Sequence, residues 1–402
     1  MWLKTARRRG LHPPEDIDRL ARRVQVPTLP VSDEELARTG HYDRGQRLVR
    51  QDAWEDLSEA IRSADRARRT TPGGEPAALL LARGARGDVV GAVEDALHDL
   101  STPDPDGLRD FASILQDHPR DYASAMVVAR AHLDVAAAWY RAAELRDPHE
   151  TAAHMSYHLS EAKGILAPFR AAARGTPSLC AAFAVLAAMT NGPVSKLVEH
   201  YECLISLEPG THRHMRNFGR HLLPLPDGGP AAIEVAARRM AVQTEAHWGT
   251  GGYVWTYLDV LALDASTLDL IDPDFFVAGL RDILDRTSDQ HVANLLAAFC
   301  AITMRSRPDT PTPPHAAKAR KHIHEFVDHI LHHHLSELHP MIWSQALLAP
   351  GARRSLPARR ALISKGRQTA LRVIAARLAA DIATHGTIAL TDAGMQPVPT
   401  ER

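Results

Sequence analysis

Eight of the 23 histidines fall between residues 315 and 339. Two of them, His329 and His333, stand four apart. On a helix that spacing puts two imidazoles on one face, where they can share a metal ion. Glu325 and Glu337 extend the face by one turn each way, so a zinc-class site would draw on Glu325, His329, His333 and Glu337. No HExxH run is present, so no general base sits between the ligands. The competing reading is a solvated polar face opposite the apolar stripe Ile323, Phe326 and Ile330.

Anion binding is the second chemistry on offer. The stretch 349–380 carries Arg353, Arg354, Arg359, Arg360, Lys365, Arg367, Arg372 and Arg377 and no acid. Such a block can hold phosphate or an acidic partner, with Arg360 and Arg367 as its binding residues. It can equally match the acid-rich 88–121 region, within the chain or in a second copy. His212, Arg216 and Arg220, at i, i+4 and i+8, line one helical face suited to a carboxylate or phosphate. The Gly-aromatic run HWGTGGYVWTYLD (247–259) offers Trp248, Tyr253 and Tyr257 as a pocket wall; the plainer reading is that they fill core.

The elements that must position these residues are helical. No segment longer than four residues alternates apolar and polar with β-branched enrichment. Four prolines, Pro119, Pro148, Pro177 and Pro209, recur at intervals of 29, 29 and 32 residues, with Ala-rich amphipathic stretches between them. That is the period of stacked helical hairpins. The clearest hairpin is 178–209: Ser178 caps a helix to Met189, Asn191-Gly192 stops it, and Pro193 opens the next. The stripe Tyr122, Met126, Ala129, Leu133, Ala136, Tyr140, Ala143 reads as one long helix or as two with a turn near Asp134. Tyr140 and Tyr201, each eight residues before a proline, are expected to be buried at repeat junctions. Further helices are expected over about 45–69, 77–100, 231–246, 273–284, 290–304, 315–337, 340–348 and 357–384. Asp272-Pro273 supplies an N-cap and first-turn proline.

The second-helix positions Ala136, Tyr140, Ala143 and Pro148, and again Tyr201 and Pro209, resemble the tetratricopeptide (TPR) repeat. In the second case Leu197 and Leu204 replace the family's small residues, and its first-helix Trp, Leu-Gly and Tyr are mostly absent. The resemblance spans about residues 107–210. It implies an all-α, TPR-like α-solenoid of antiparallel helical hairpins, completed here by a C-terminal helical cap. The expected organisation is an extended N-terminal arm (1–45) with short helices near 15–24 and 32–39, TPR-like repeats (46–222), further hairpins with the Gly-aromatic stretch (223–305), a C-terminal helical region (315–385) and a loose tail (386–402) with room for one short strand. The Pro-rich 306–314 run is the expected internal boundary.

Several function classes drop out. A net charge of -1 and the lack of aromatics among the basic residues argue against nucleic acid. The longest apolar run, 179–189, is too short to span a bilayer. Cys180, Cys203 and Cys300 form no CxxC pair and read as buried free thiols of a cytoplasmic protein. No phosphate loop, dinucleotide fingerprint or nucleophile elbow occurs. The sequence therefore assigns no catalytic residue and no cofactor. It points to a scaffold that binds a protein or peptide, with self-association as a further option. Two alternatives stand beside it: an enzyme of unrecognised type with a cavity near 212–259, where His247, Asp259 and Arg220 fall, and a metal-binding module around 322–337.

Overall fold

The computed structural model describes residues 14–190, 192–306, 312–348 and 357–399. Among them the chain is mostly helical, as its sequence pattern requires. No described helix is long and apolar enough to cross a membrane. The chain divides into two compact units, Asp33–Leu270 and a second built from the segments up to Ser32 and from Ile271 onward. The division thus falls at 32/33 and 270/271, not at the Pro-rich run.

The Asp33–Leu270 unit opens with a helix, Asp33–Arg50, which starts where a short helix was expected near 32–39 but runs on without a break past residue 45. Asp33, Glu34 and Glu35 in its first turn complement the positive end of the helix dipole. The expected 45–69 helix is interrupted at Asp52, whose φ of 55° is incompatible with a continuous helix. Trp54–Arg66 follows. The next expected helix is also two, Ala77–Ala85 and Gly87–His98.

Tyr122–Ala142 is one continuous helix and the hub of this unit. It packs against Trp54–Arg66, Ala77–Ala85, Gly87–His98, Asp106–Asp117, Pro148–Leu166 and Pro177–Met189. Over its first half it is buried on nearly every side. In its last turns only the side bearing Val135, Ala138 and Trp139 stays covered, and Trp139 stacks on His154 with ring centres 4.0 Å apart. Tyr140 is therefore 66% exposed, against the expectation that it fills a repeat junction, whereas Tyr201 is buried as expected. Pro148 and Pro177 occupy first turns, so they open helices instead of closing hairpins. Only the last proline interval holds two full helices, Pro177–Met189 and Val194–Leu207.

A buried carboxylate ties three of these helices together. Asp65 accepts hydrogen bonds from Ser178 Oγ (2.5 Å), Ser178 N (3.2 Å) and Tyr122 Oη (3.1 Å). Burial raises its pKa against the pull of those bonds. Ser178 is thus a cross-link, and Thr176, not Ser178, stands at the helix N-cap.

In the second unit Asp272 caps Pro273–Arg286 through Phe275 N, with the proline in the first turn. Gln290–Ala298 runs on into a π-helical turn, Phe299–Thr303. Asn294 is buried and fully used: its amide donates to Gln290 O and Glu337 O, and its carbonyl accepts from His339 N and Trp343 Nε1. The histidine-rich stretch forms two helices, Pro314–Glu325 and Val327–His333, followed by Pro340–Ala346. Arg359–Arg377 buries Leu362 and Ile374, and Gly366 lies directly on the Pro340 carbonyl. Ala379–His385 follows. The expected loose tail is a β-hairpin of Ile388–Thr391 and Gly394–Pro397, joined in parallel by Val24–Gln25. Ile388 and Leu390 face the core in a strand only four residues long, too short to register as alternation.

Two predictions follow from this packing. Asp33–Arg50 and Ala77–Ala85 touch backbone to backbone, because a Cβ on Gly84 would strike the Tyr42 carbonyl and one on Gly45 the Leu81 carbonyl. Gly91, inside Gly87–His98, faces open space. Gly84→Ala should cost about 1–3 kcal/mol or more of unfolding free energy. Gly91→Ala should add about 0.5–1 kcal/mol. Urea denaturation of both variants measures this.

His132 and His158 are buried with Nδ1 atoms 3.0 Å apart, and burial takes both pKa values from 6.5 down to about 4. Between those values the unfolded chain binds protons that the folded chain refuses. Their contribution should therefore be lost as pH falls from about 6.5 toward 4. Replacing both by leucine removes donor and acceptor together. Chemical denaturation across this window should show a shallower loss in His132→Leu/His158→Leu than in the parent.

Candidate functional site

The site begins with a turn. In Thr70–Pro76, Thr71 and Glu75 exchange backbone and hydroxyl bonds, and Gly73 N donates to Glu34 Oε2 at 2.6 Å. Burial raises the Glu34 pKa despite that bond. The turn's outer carbonyl, Gly73 O, accepts from His212 Nε2 at 2.9 Å. His212 opens the His212–Leu222 helix, is buried, and stacks on Trp255 with ring centres 4.2 Å apart. Trp248 closes the edge of this stack and donates to Pro209 O at 3.0 Å. The turn and the helix are thereby locked together.

The lock assembles a chain of arginines and acids. Glu75 meets Arg38 at 2.6 Å and Arg213 at 3.5 Å. Gly219 lets the His212–Leu222 helix rest on the Thr256 backbone. Arg216 then grips Asp259 with two bonds, 2.8 and 3.2 Å. Arg220 acts on Asp259 and, with Arg130, on Tyr201 and His221. Arg130 approaches Asp134 at 3.8 Å, Arg86 bonds it at 2.6 Å, and Arg83 adds its charge. Burial lowers the His221 pKa to about 4, helped by the two arginines, so its Nδ1 accepts from the Tyr201 hydroxyl at 2.7 Å.

Protein crowds these side chains while solvent still reaches several of them, and in that sense they form a recess. Arg130, Asp134, Arg213 and Asp259 are closely surrounded by protein atoms. Their side chains nonetheless keep 18%, 31%, 35% and 24% of their solvent exposure. Burial opposes ionisation of Asp134 and Asp259, but the neighbouring arginines outweigh it and hold both pKa values low. Burial presses the pKa of Arg130 and Arg213 downward. Arg130 Nε is buried with no hydrogen-bond partner among the described residues. Ion pairs and longer-range attraction link seven arginines (38, 83, 86, 130, 213, 216 and 220) to four carboxylates (Glu34, Glu75, Asp134 and Asp259).

The residues picked out from sequence divide accordingly. Arg216 and Arg220 belong to the recess, and His212 fixes its geometry. Tyr253 and Tyr257 are core: both are fully buried, and both hydroxyls bond Glu234 Oε2, at 2.6 and 2.8 Å. Trp248 supports the lock. His247 is exposed, while Asp259 is held by Arg216. Arg360 and Arg367 are exposed on the Arg359–Arg377 helix of the other unit; Arg353 and Arg354 lie outside the described residues. Arg372 chelates Asp18 at 2.7 and 2.9 Å, and Arg377 reaches Asp328. The acidic 88–121 region is likewise engaged at home, Asp88 by Arg50 and Asp121 by Arg62.

The expected four-ligand metal face does not form. The helix breaks at Phe326 and ends at His333, so Glu337 lies beyond it and meets His339, while Glu325 pairs with Lys321. Among the described residues no three His, Cys, Asp or Glu side chains converge as a metal cage. The thiols also differ from expectation at one position. Cys180 and Cys300 are buried, but Cys203 is half-exposed and lines an open groove of about 720 Å³ with Glu202, Arg239 and Gln243.

Sequence reading missed Arg130, Arg83, Arg86, Arg213 and Arg38. A signal existed for the first: Arg130 and Asp134 are an i, i+4 ion pair inside the Ala-rich run 123–138, where charges are otherwise absent. The other four are brought in by tertiary packing. Comparison of the chain with protein-family models, with curated proteins and with solved structures finds no match.

Proposed function

We propose that the Asp33–Leu270 unit is a binding module, a TPR-like stack of helical hairpins that holds an acidic stretch of a protein or peptide in the arginine recess. The observation that carries this reading is the excess of seven arginines over four carboxylates in one linked set of charges, several of them reached by solvent, in a chain whose net charge is -1. Guanidinium groups present forked donors that match carboxylate and phosphate oxygens. Low local dielectric in a recess strengthens each such contact relative to open water. A cytoplasmic setting belongs to the same proposal, and the buried thiols of Cys180 and Cys300 suit a reducing compartment.

Arg83 and Arg220 are exposed, so their substitution leaves the packing intact. A fluorescent oligoglutamate peptide should bind the full chain, with affinity falling as salt rises. Arg83→Gln/Arg220→Gln should weaken binding at least about tenfold, equivalent to about 1.4 kcal/mol, while the variant still unfolds in one cooperative thermal transition. Equal affinity in parent and variant, measured by fluorescence anisotropy, would remove the recess as the binding surface.

A further inference from the structure

We propose that His329 and His334 form a preset chelate for one zinc-class divalent ion, with His333 as the third donor. Their Nε2 atoms face each other 3.4 Å apart. That is longer than the usual hydrogen-bond range of about 2.7–3.2 Å. It equals the spacing of two nitrogens that each stand about 2.0–2.1 Å from one tetrahedral ion, about 3.4 Å. The other close histidine pair provides the contrast. His132 and His158 meet at 3.0 Å through Nδ1, an ordinary hydrogen bond inside the core.

The surroundings suit a ligand pair. His329 lies on Val327–His333, and His334 follows it directly; His334 N and Leu335 N both bond Ile330 O, which fixes the chain where it leaves the helix. The Asp285 carboxylate, at the end of Pro273–Arg286, acts on both rings and supplies negative charge for a cation. Arg281 opposes it from the same helix and is drawn over the Phe326 ring, 5.9 Å from its centre. The His333 ring centre is 4.9 Å from that of His329 and 6.4 Å from that of His334. His333 is exposed, and its side chain would have to rotate to bring a third nitrogen to the pair. Imidazole donors select zinc, nickel or copper over magnesium or calcium. This set differs from the i, i+4 pair with flanking glutamates that the helical pattern offered, because the helix ends before Glu337. It lies in a different unit from the arginine recess and is independent of the proposal made for that surface.

The test uses untagged, chelator-stripped full-length protein titrated with zinc chloride in a calorimeter. One ion per chain should bind. His329→Ala, His333→Ala and His334→Ala should each weaken binding at least about tenfold. His332→Ala is the control, because His332 belongs to the same tract but is turned to Asp328 O and Asp381; it should retain parental affinity. Absence of a stoichiometric site, or a loss in His332→Ala equal to that in His334→Ala, would overturn the proposal. Cobalt(II) bound to the parent protein gives a reading that needs no variant to fold. Intense visible absorption marks tetrahedral nitrogen coordination and supports the site; only weak octahedral bands would overturn it.

Discussion

One hydrogen bond, from His212 Nε2 to Gly73 O, joins segments 139 residues apart and sets the geometry of the recess. Without it the Thr70–Pro76 turn would have no fixed place against the His212–Leu222 helix, and Glu75 would not meet Arg213. The bond is buried, and the imidazole is clamped on its flat side by Trp255. A buried carbonyl left without its donor costs about 1–3 kcal/mol, which makes the contact hard to open. The Gly-aromatic stretch therefore contributes to the site without touching a ligand. Its tryptophans hold the histidine that holds the turn.

The hub helix shows a second constraint. Tyr122–Ala142 is surrounded on most sides over its first half, so small side chains dominate there and neighbouring helices come close. Into this setting the sequence places Arg130 and Asp134. Two charges in a crowded helix lose water, and their mutual attraction at 3.8 Å does not by itself offset that loss. Arg86, bonded to Asp134 at 2.6 Å, supplies the rest for the carboxylate. Among the described residues no comparable anion serves Arg130. A cation so placed lowers stability, and the anionic ligand proposed above would offset that loss when bound.

How much of this was legible follows from the range of each signal. The 178–209 hairpin and the Asp272-Pro273 cap were readable because caps and prolines act within a few residues. The phase of the hub helix was not. A helix that is apolar nearly all round has no single buried stripe, so the stripe drawn through Tyr140 ran along a side that emerges into solvent, and Trp139, one residue earlier, took the buried place. The terminal hairpin was missed because Ile388–Thr391 is too short to show a period. Of the recess, the helical spacing of Arg216 and Arg220 was visible. Arg38, Arg86, Arg213 and Glu75 were not, since no local pattern reports that residues 38, 75 and 213 will meet.

Donor arithmetic on the arginines clarifies what kind of ligand the recess suits. A guanidinium has five N–H donors and no acceptor. Arg216 commits two of them to Asp259, and Arg86 commits one to Asp134. Arg130 stands 3.8 Å from its nearest carboxylate oxygen, outside hydrogen-bond range, and Arg213 at 3.5 Å is barely within it. The resident acids thus hold the arginines in place without saturating them. A single carboxylate could use one fork. The proposed acidic segment, with several oxygens, would engage more than one of Arg130, Arg213 and Arg220, and each added contact would draw on charge already concentrated by the fold. That favours an extended multivalent anion over a small monovalent one. It also explains why the recess keeps carboxylates of its own: without Asp134 and Asp259, seven adjacent cations would repel one another and the helices that carry them.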